Sequence, residues 1–152
     1  MTAIEFLKAQ HREALAMIDQ LQSQNGAPMD DGRLQLFGEL KSALVFHTAV
    51  EEQVFYHELA NNDQTREIVH DAYTEHRAVD ELLVKLSVDP PDAWPAHLAA
   101  LRNEISHHVE EEESDLFPRA EQILGQEKLT LIGRQMQKIK DGKSANLGRP
   151  VR

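Results

Sequence analysis

The chain has 152 residues, 41% hydrophobic and 28% charged, which fits one soluble domain with a sizeable core and leaves little room for a second. A net charge of −10 argues against nucleic acid or an anionic membrane as partner, and the absence of cysteine excludes disulfides, thiolate metal sites and cysteine nucleophiles. No apolar run approaches membrane-spanning length and the first residues carry no signal-peptide pattern, so a cytoplasmic protein is expected.

Thr2-Ala3-Ile4-Glu5 reads as a capping box that opens a first helix. Ile4, Leu7, His11, Leu15, Ile18 and Leu21 then recur at helical spacing, with a histidine inside an apolar stripe. Asn25-Gly26-Ala27-Pro28 breaks that helix, and Asp30 or Asp31 can cap the next. The second helix is expected to run to about Leu59 or Ala60, carrying Leu40, Leu44, His47, Glu51 and Val54 or Phe55 on one side. After Asn61-Asn62-Asp63, a third stripe holds Val69, Ala72, His76, Val79, Leu83 and Leu86, and Asp89-Pro90-Pro91 ends it. The fourth helix starts near Asp92 or Trp94 and contains His107-His108-Val109-Glu110-Glu111-Glu112-Glu113, with Pro118 expected to kink or stop it and Gly125 marking another end. A shorter amphipathic helix carries Leu129, Ile132, Met136 and Ile139. These elements predict an all-α protein, an antiparallel up-down four-helix bundle with a short fifth helix near residues 126–140. Residues 1–140 form the expected domain, and 141–152 a basic, flexible tail.

The two halves repeat. Leu40 to Glu52 aligns without a gap on Leu101 to Glu113, placing His47 on His108, Glu51 on Glu112 and Phe46 on His107; further on, Tyr56 falls on Phe117. Residues four apart share a helix face, so both His108 with Glu112 and His107 with Glu111 can reach a common point. The repeat selects His108 and Glu112 as the inward pair, because His107 replaces a large apolar residue. Gln10-His11-Arg12 likewise matches Glu75-His76-Arg77. In an up-down bundle, residues equally far from a shared turn lie level. His11 and His47, His47 and His76, and His76 and His108 each lie ~18–20 Å from the turn between them at about 1.5 Å per residue. Four histidines and two glutamates are therefore expected in one core layer, a costly arrangement of buried polar groups unless metal ions join it.

With these residues in place, the chain resembles the hemerythrin-like family with its HHE cation-binding domain. The matching pattern is His11, His47 with Glu51, His76, and His108 with Glu112, one element on each bundle helix. The flanking text is similar too: His11-Arg12-Glu13, Glu51-Glu52 leading to Phe55-Tyr56, Glu75-His76, and Glu112-Glu113 leading to Leu116-Phe117-Pro118. The resemblance spans about residues 1–140. It implies a non-haem centre of two iron ions, with the glutamates as bridging carboxylates and oxygen, peroxide or nitric oxide as the small ligand.

Two departures from the oxygen carriers of that family stand out. They have a second histidine one turn along the third helix, where this chain has Ala72 before His76 and Asp80 after it. They also have an aspartate five residues after the last histidine, where this chain offers Glu112 at four. Asp80 reads as a solvated surface acid. Tyr73 either reaches the site or packs with its hydroxyl at a boundary, the commoner outcome. His57, His70 and His97 read as surface residues, and the Glu110–Glu113 run, apart from Glu112, as a solvated face. Three functions are compatible with the pattern: a protein that binds or senses the small ligand, an enzyme that turns over peroxide or oxygen, and a metal-storage or structural site, with zinc as an alternative metal.

Overall fold

The computed structural model describes residues 1–146, with side chains described through residue 143. It is all-helical, with no strand among the described residues. The long elements are α1 (Ala3–Ser23), α2 (Asp31–Val50), α3 (Arg66–Val88), α4 (Trp94–Glu111) and α5 (Phe117–Asn146). The expected starts are present. The Glu5 backbone N–H donates to Thr2 Oγ1 while the Thr2 N–H donates back to the Glu5 carboxylate, completing the capping box. Of the two candidate caps for α2 it is Asp30 that acts, its Oδ1 accepting from the Arg33 N–H at 2.8 Å.

Two ends differ from expectation. Helix α2 stops at Val50 rather than near Leu59, and continues as a π turn, Glu51–Phe55, and a 3₁₀ turn, Tyr56–Glu58. A matching π turn, Glu112–Leu116, joins α4 to α5. Pro118 does not stop the chain: it stands second in α5, directly after the π turn that joins α4 to α5. The C-terminal helix is also long rather than short. Gly125 (φ 77°) divides α5 where the break was expected, but the segment after it continues to Asn146, past the expected end at residue 140. The remainder of the expected tail, 147–152, lies outside the described residues.

Helix α1 packs on α2, α4 and α5, and α3 packs on α4 and more lightly on α2. The apolar interior divides into two clusters. One joins the N-terminal parts of α1 and α3 (Leu7, Val69, Ala72) to the C-terminal extension of α2 (Phe55, Tyr56, Leu59) and to Leu129, Ile132 and Met136 of α5. The other joins Ile18 and Leu21 of α1, Leu40 and Leu44 of α2, Leu83 and Leu86 of α3, and Leu98 and Leu101 of α4. The helices cross from one cluster to the other at His11, His47, His76 and His108, so apolar residues bound the histidine level on both sides. No described helix is long and apolar enough to cross a membrane.

Candidate metal centre

His11, His47, Glu51, His76, His108 and Glu112 are all buried. Each histidine takes a stripe position between apolar residues one turn away, such as Leu7 and Ala14 around His11. Their Nε2 atoms converge on the two carboxylates. Glu51 Oε1 lies 3.1 Å from His47, 3.0 Å from His76 and 3.4 Å from His108, while Glu112 Oε1 lies 3.0 Å from His11 and 3.1 Å from His108. His11, His47, Glu51, His108 and Glu112 each bring one ligand atom within 4.8 Å of the others. His76 stands just outside that group and joins the layer through Glu51. The rings pair by proximity, with centroids 4.8 Å apart for His11 and His47 and 4.9 Å for His76 and His108.

The opposite ring nitrogens face outward, each to its own acceptor. His11 Nδ1 lies 2.6 Å from Glu113 Oε2, His47 Nδ1 2.7 Å from Gln10 Oε1, His76 Nδ1 2.7 Å from Glu52 Oε2, and His108 Nδ1 2.8 Å from Glu75 Oε1. A proton on Nδ1 donated to these acceptors fixes the tautomer and leaves Nε2 as a free ligand, the arrangement expected around a metal-binding imidazole. Glu113 is thus more than part of a solvated face. These four partners escaped the sequence reading, although each is the immediate neighbour of a stripe residue. Gln10 and Glu75 precede His11 and His76, and Glu52 and Glu113 follow Glu51 and Glu112.

Tyr56 escaped it too. Its hydroxyl donates to Glu112 Oε2 at 2.5 Å and lies 3.1 Å from Glu51 Oε1 and 3.3 Å from His76 Nε2. Five residues of regular α-helix would turn its side chain about 140° away from Glu51. The π turn, closed by the Tyr56 N–H bonded to the Glu51 carbonyl, brings it back to the same side. The second π turn does the same for Phe117, which stacks on His11 with centroids 5.9 Å apart.

The charges in this layer are strongly coupled. Burial disfavours the charged form of His108, yet the Glu112 carboxylate and the bonds to Glu112, Glu51 and Glu75 raise its pKa well above the ordinary value. His11 and His76 are raised as well: burial opposes, and is outweighed by Glu112 for the first and by Glu51 for the second. Burial pushes the Glu51 carboxyl upward, but the charge of His47 and bonds to its neighbours hold it well below the usual carboxylate range. Burial, followed by the charges of Glu112 and Glu51, lifts the Tyr56 phenol well above its normal value, so it remains a proton donor at neutral pH.

This donor set fits a cation. Two inner carboxylates and three outer ones, Glu52, Glu75 and Glu113, surround four imidazoles, so negative charge is left over even with every ring protonated. Glu51 Oε2 is buried with no hydrogen-bond partner, a costly condition for a carboxylate oxygen that a metal ion would relieve. Imidazole with carboxylate is a suitable ligand mixture for a transition metal. Beside the layer is a small cavity of about 20 Å³, where the four histidines meet apolar residues such as Leu44 and Val79 and the polar Gln10 and Thr48. That is room for about one water-sized molecule.

The remaining sequence candidates stay out of the layer. His107 is 67% exposed and sits at the surface beside Glu75 and Glu111. The Glu111 carboxyl is pushed up to about 7, chiefly by its hydrogen bond to Glu75, then by burial and the Glu75 charge. Asp80, His57 and His70 are exposed; His97 is half-buried and paired with Asp89. Tyr73 packs edge-on against Tyr56 with centroids 5.6 Å apart, a boundary role.

A buried layer of imidazoles and carboxylates inside a helical protein is a candidate metal-binding site. The chain matches the model of the hemerythrin HHE cation-binding domain over residues 2–120, and it belongs to that family. Neither the curated proteins nor the solved structures yield a match to it.

Proposed function

We propose that this hemerythrin-like protein holds two iron ions and binds or senses a small ligand: oxygen, peroxide or nitric oxide. His11, His47, Glu51, His76, His108 and Glu112 are the ligands, with Glu51 and Glu112 shared between the ions. The observation that carries this reading is the convergence of four imidazole Nε2 atoms on two buried carboxylates beside a small cavity. An up-down antiparallel course of the helices is supported by the two apolar clusters, which mix the beginnings of α1 and α3 with the end of α2, and the ends of α1 and α3 with the beginnings of α2 and α4.

Iron suits mixed nitrogen and oxygen ligands and supplies the redox chemistry that oxygen-derived ligands require. The chain does the rest. Apolar residues on both sides of the layer exclude water, which strengthens the electrostatics within it. The outer acceptors hold each imidazole in its ligating tautomer, and Tyr56 keeps a proton at the edge of Glu112.

Neither position one turn from His76 supplies another imidazole: Ala72 is buried and apolar, and Asp80 is exposed. Six protein ligands leave coordination positions open, which favours reaction with oxygen or peroxide over stable oxygen carriage. The test is to reduce the iron-loaded protein without air, admit oxygen and remove it again while recording the visible spectrum. A spectral change that does not reverse on removing oxygen is expected. Repeated, fully reversible formation of a long-lived oxygenated species would restore the carrier reading.

A further inference from the structure

The internal repeat relates the two ring pairs, and it is broken in the outer acceptors. His11 corresponds to His76, His47 to His108, Glu51 to Glu112 and Glu52 to Glu113. Glu52 and Glu113 do equivalent work, each accepting from the histidine of the odd-numbered helix it faces. The acceptors for the other two histidines are unlike: His47 has the neutral Gln10 amide oxygen at 2.7 Å, and His108 has the Glu75 carboxylate at 2.8 Å. Glu75 is also the best shielded of the acidic acceptors, 13% exposed against 38% for Glu52 and 34% for Glu113. The repeat is broken a second time in the stacked rings, Tyr56 on His76 with centroids 5.4 Å apart and the apolar Phe117 on His11.

A hydrogen bond to an ionised acceptor is roughly twice as strong as one between neutral groups. A carboxylate on the outer nitrogen makes the imidazole a more basic ligand, and removing such a partner typically weakens metal binding by about 10–100-fold. The two ring pairs therefore differ in donor strength on their outer side, although each pair faces both inner carboxylates. We infer that Gln10 and Glu75 act as positioning residues that make the two metal positions unequal, a tight position at His76 and His108 that fills first and a weaker, exchangeable position at His11 and His47. This rests on the two-ion reading and goes beyond it, because it assigns an order of loading. It holds for any divalent cation that the layer accepts, so it does not depend on iron.

The experiment is a stepwise titration of metal-free protein with cobalt(II), read by its visible absorption and by competition with a chelator, for the natural chain, Gln10→Glu and Glu75→Gln. The natural chain is expected to bind two equivalents whose dissociation constants differ by about tenfold or more. Gln10→Glu should tighten the weaker step about tenfold and leave the tighter one in place. Glu75→Gln keeps the side-chain shape, removes only the charge, and should weaken the tighter step by about 10–100-fold; it tests the inference even if the added charge of Gln10→Glu prevents folding. Two equivalents of equal affinity, or a Glu75→Gln protein with both constants unchanged, would overturn the inference while leaving the two-ion centre standing. One equivalent in the natural chain would overturn the two-ion reading and the inference together.

Discussion

Tyr56, on the turn that follows α2, donates its hydroxyl proton to Glu112, on the turn that follows α4. This bond ties the turn after α2 to the turn after α4 across the core. Tyr56→Phe keeps the ring and leaves Glu112 Oε2 without its donor. Hydrogen bonds to charged groups contribute about 1.5–3 kcal/mol, so the metal-free variant is expected to lose about that much in a urea denaturation. The loss should shrink on metal loading, as an ion takes over the freed carboxylate oxygen. A metal-free Tyr56→Phe protein as stable as the natural one would show that the bond contributes nothing.

The two adjacent histidines of α4 have opposite fates, His108 in the layer and His107 at the surface. His108→Ala is expected to lose bound metal and His107→Ala to retain it, measured by elemental analysis of the purified proteins. Loss of metal from the His107 variant alone would put the register of α4 wrong by one residue.

The raised histidines make stability and metal binding depend on pH in opposite ways. His11, His76 and His108 have folded pKa values above 6.5, so their contribution to the metal-free fold is full below that value and fades as pH rises through the folded ones. Glu51, depressed below 4.5, contributes above that value, and its contribution fades as pH falls through the folded one. Metal-free protein should therefore melt highest between about pH 4.5 and 6.5, and progressively lower on the alkaline side. Metal ions take the place of those protons, so loading releases protons and its apparent affinity rises with pH. Thermal melts with and without metal, and proton release in weak buffer, check both halves. A metal-free melting temperature that climbs from pH 7 to 9 would contradict the coupling.

Gly133 of α5 faces the beginning of the chain at close range: a Cβ there would stand 2.3 Å from the Met1 carbonyl oxygen and 2.8 Å from the Thr2 carbonyl carbon. These are backbone atoms and cannot swing aside. Gly133→Ala is expected to destabilise by about 1–3 kcal/mol, as overpacking does, by prising α5 from α1. An unchanged denaturation midpoint would mean that the two helices separate there without cost.

The histidine stripes were legible because a polar residue at the same core level on each of four helices is costly to bury unless a cation joins the layer, and the gapless repeat chose His108 over His107. The outer acceptors were not, because Gln10, Glu52, Glu75 and Glu113 are residue types that normally face water, and only the packed bundle turns them onto the rings. The π turns were hidden as well. Nothing local in Glu51–Phe55 distinguishes one extra residue per turn from α-helix, and without that turn Tyr56 points away from Glu51. The far end of α5 was hidden for another reason: Lys143, polar by sequence, has its ammonium 4.7 Å from the centre of the Phe46 ring, a tertiary contact that no local pattern shows.

The central claim, two ions sharing Glu51 and Glu112, is tested most directly by counting metal per chain in native mass spectra of iron-loaded natural protein and Glu112→Ala. The account predicts two ions on the natural chain, and one or none on the variant, since a shared carboxylate serves both. A single ion on the natural chain, or two ions retained by Glu112→Ala, would contradict it.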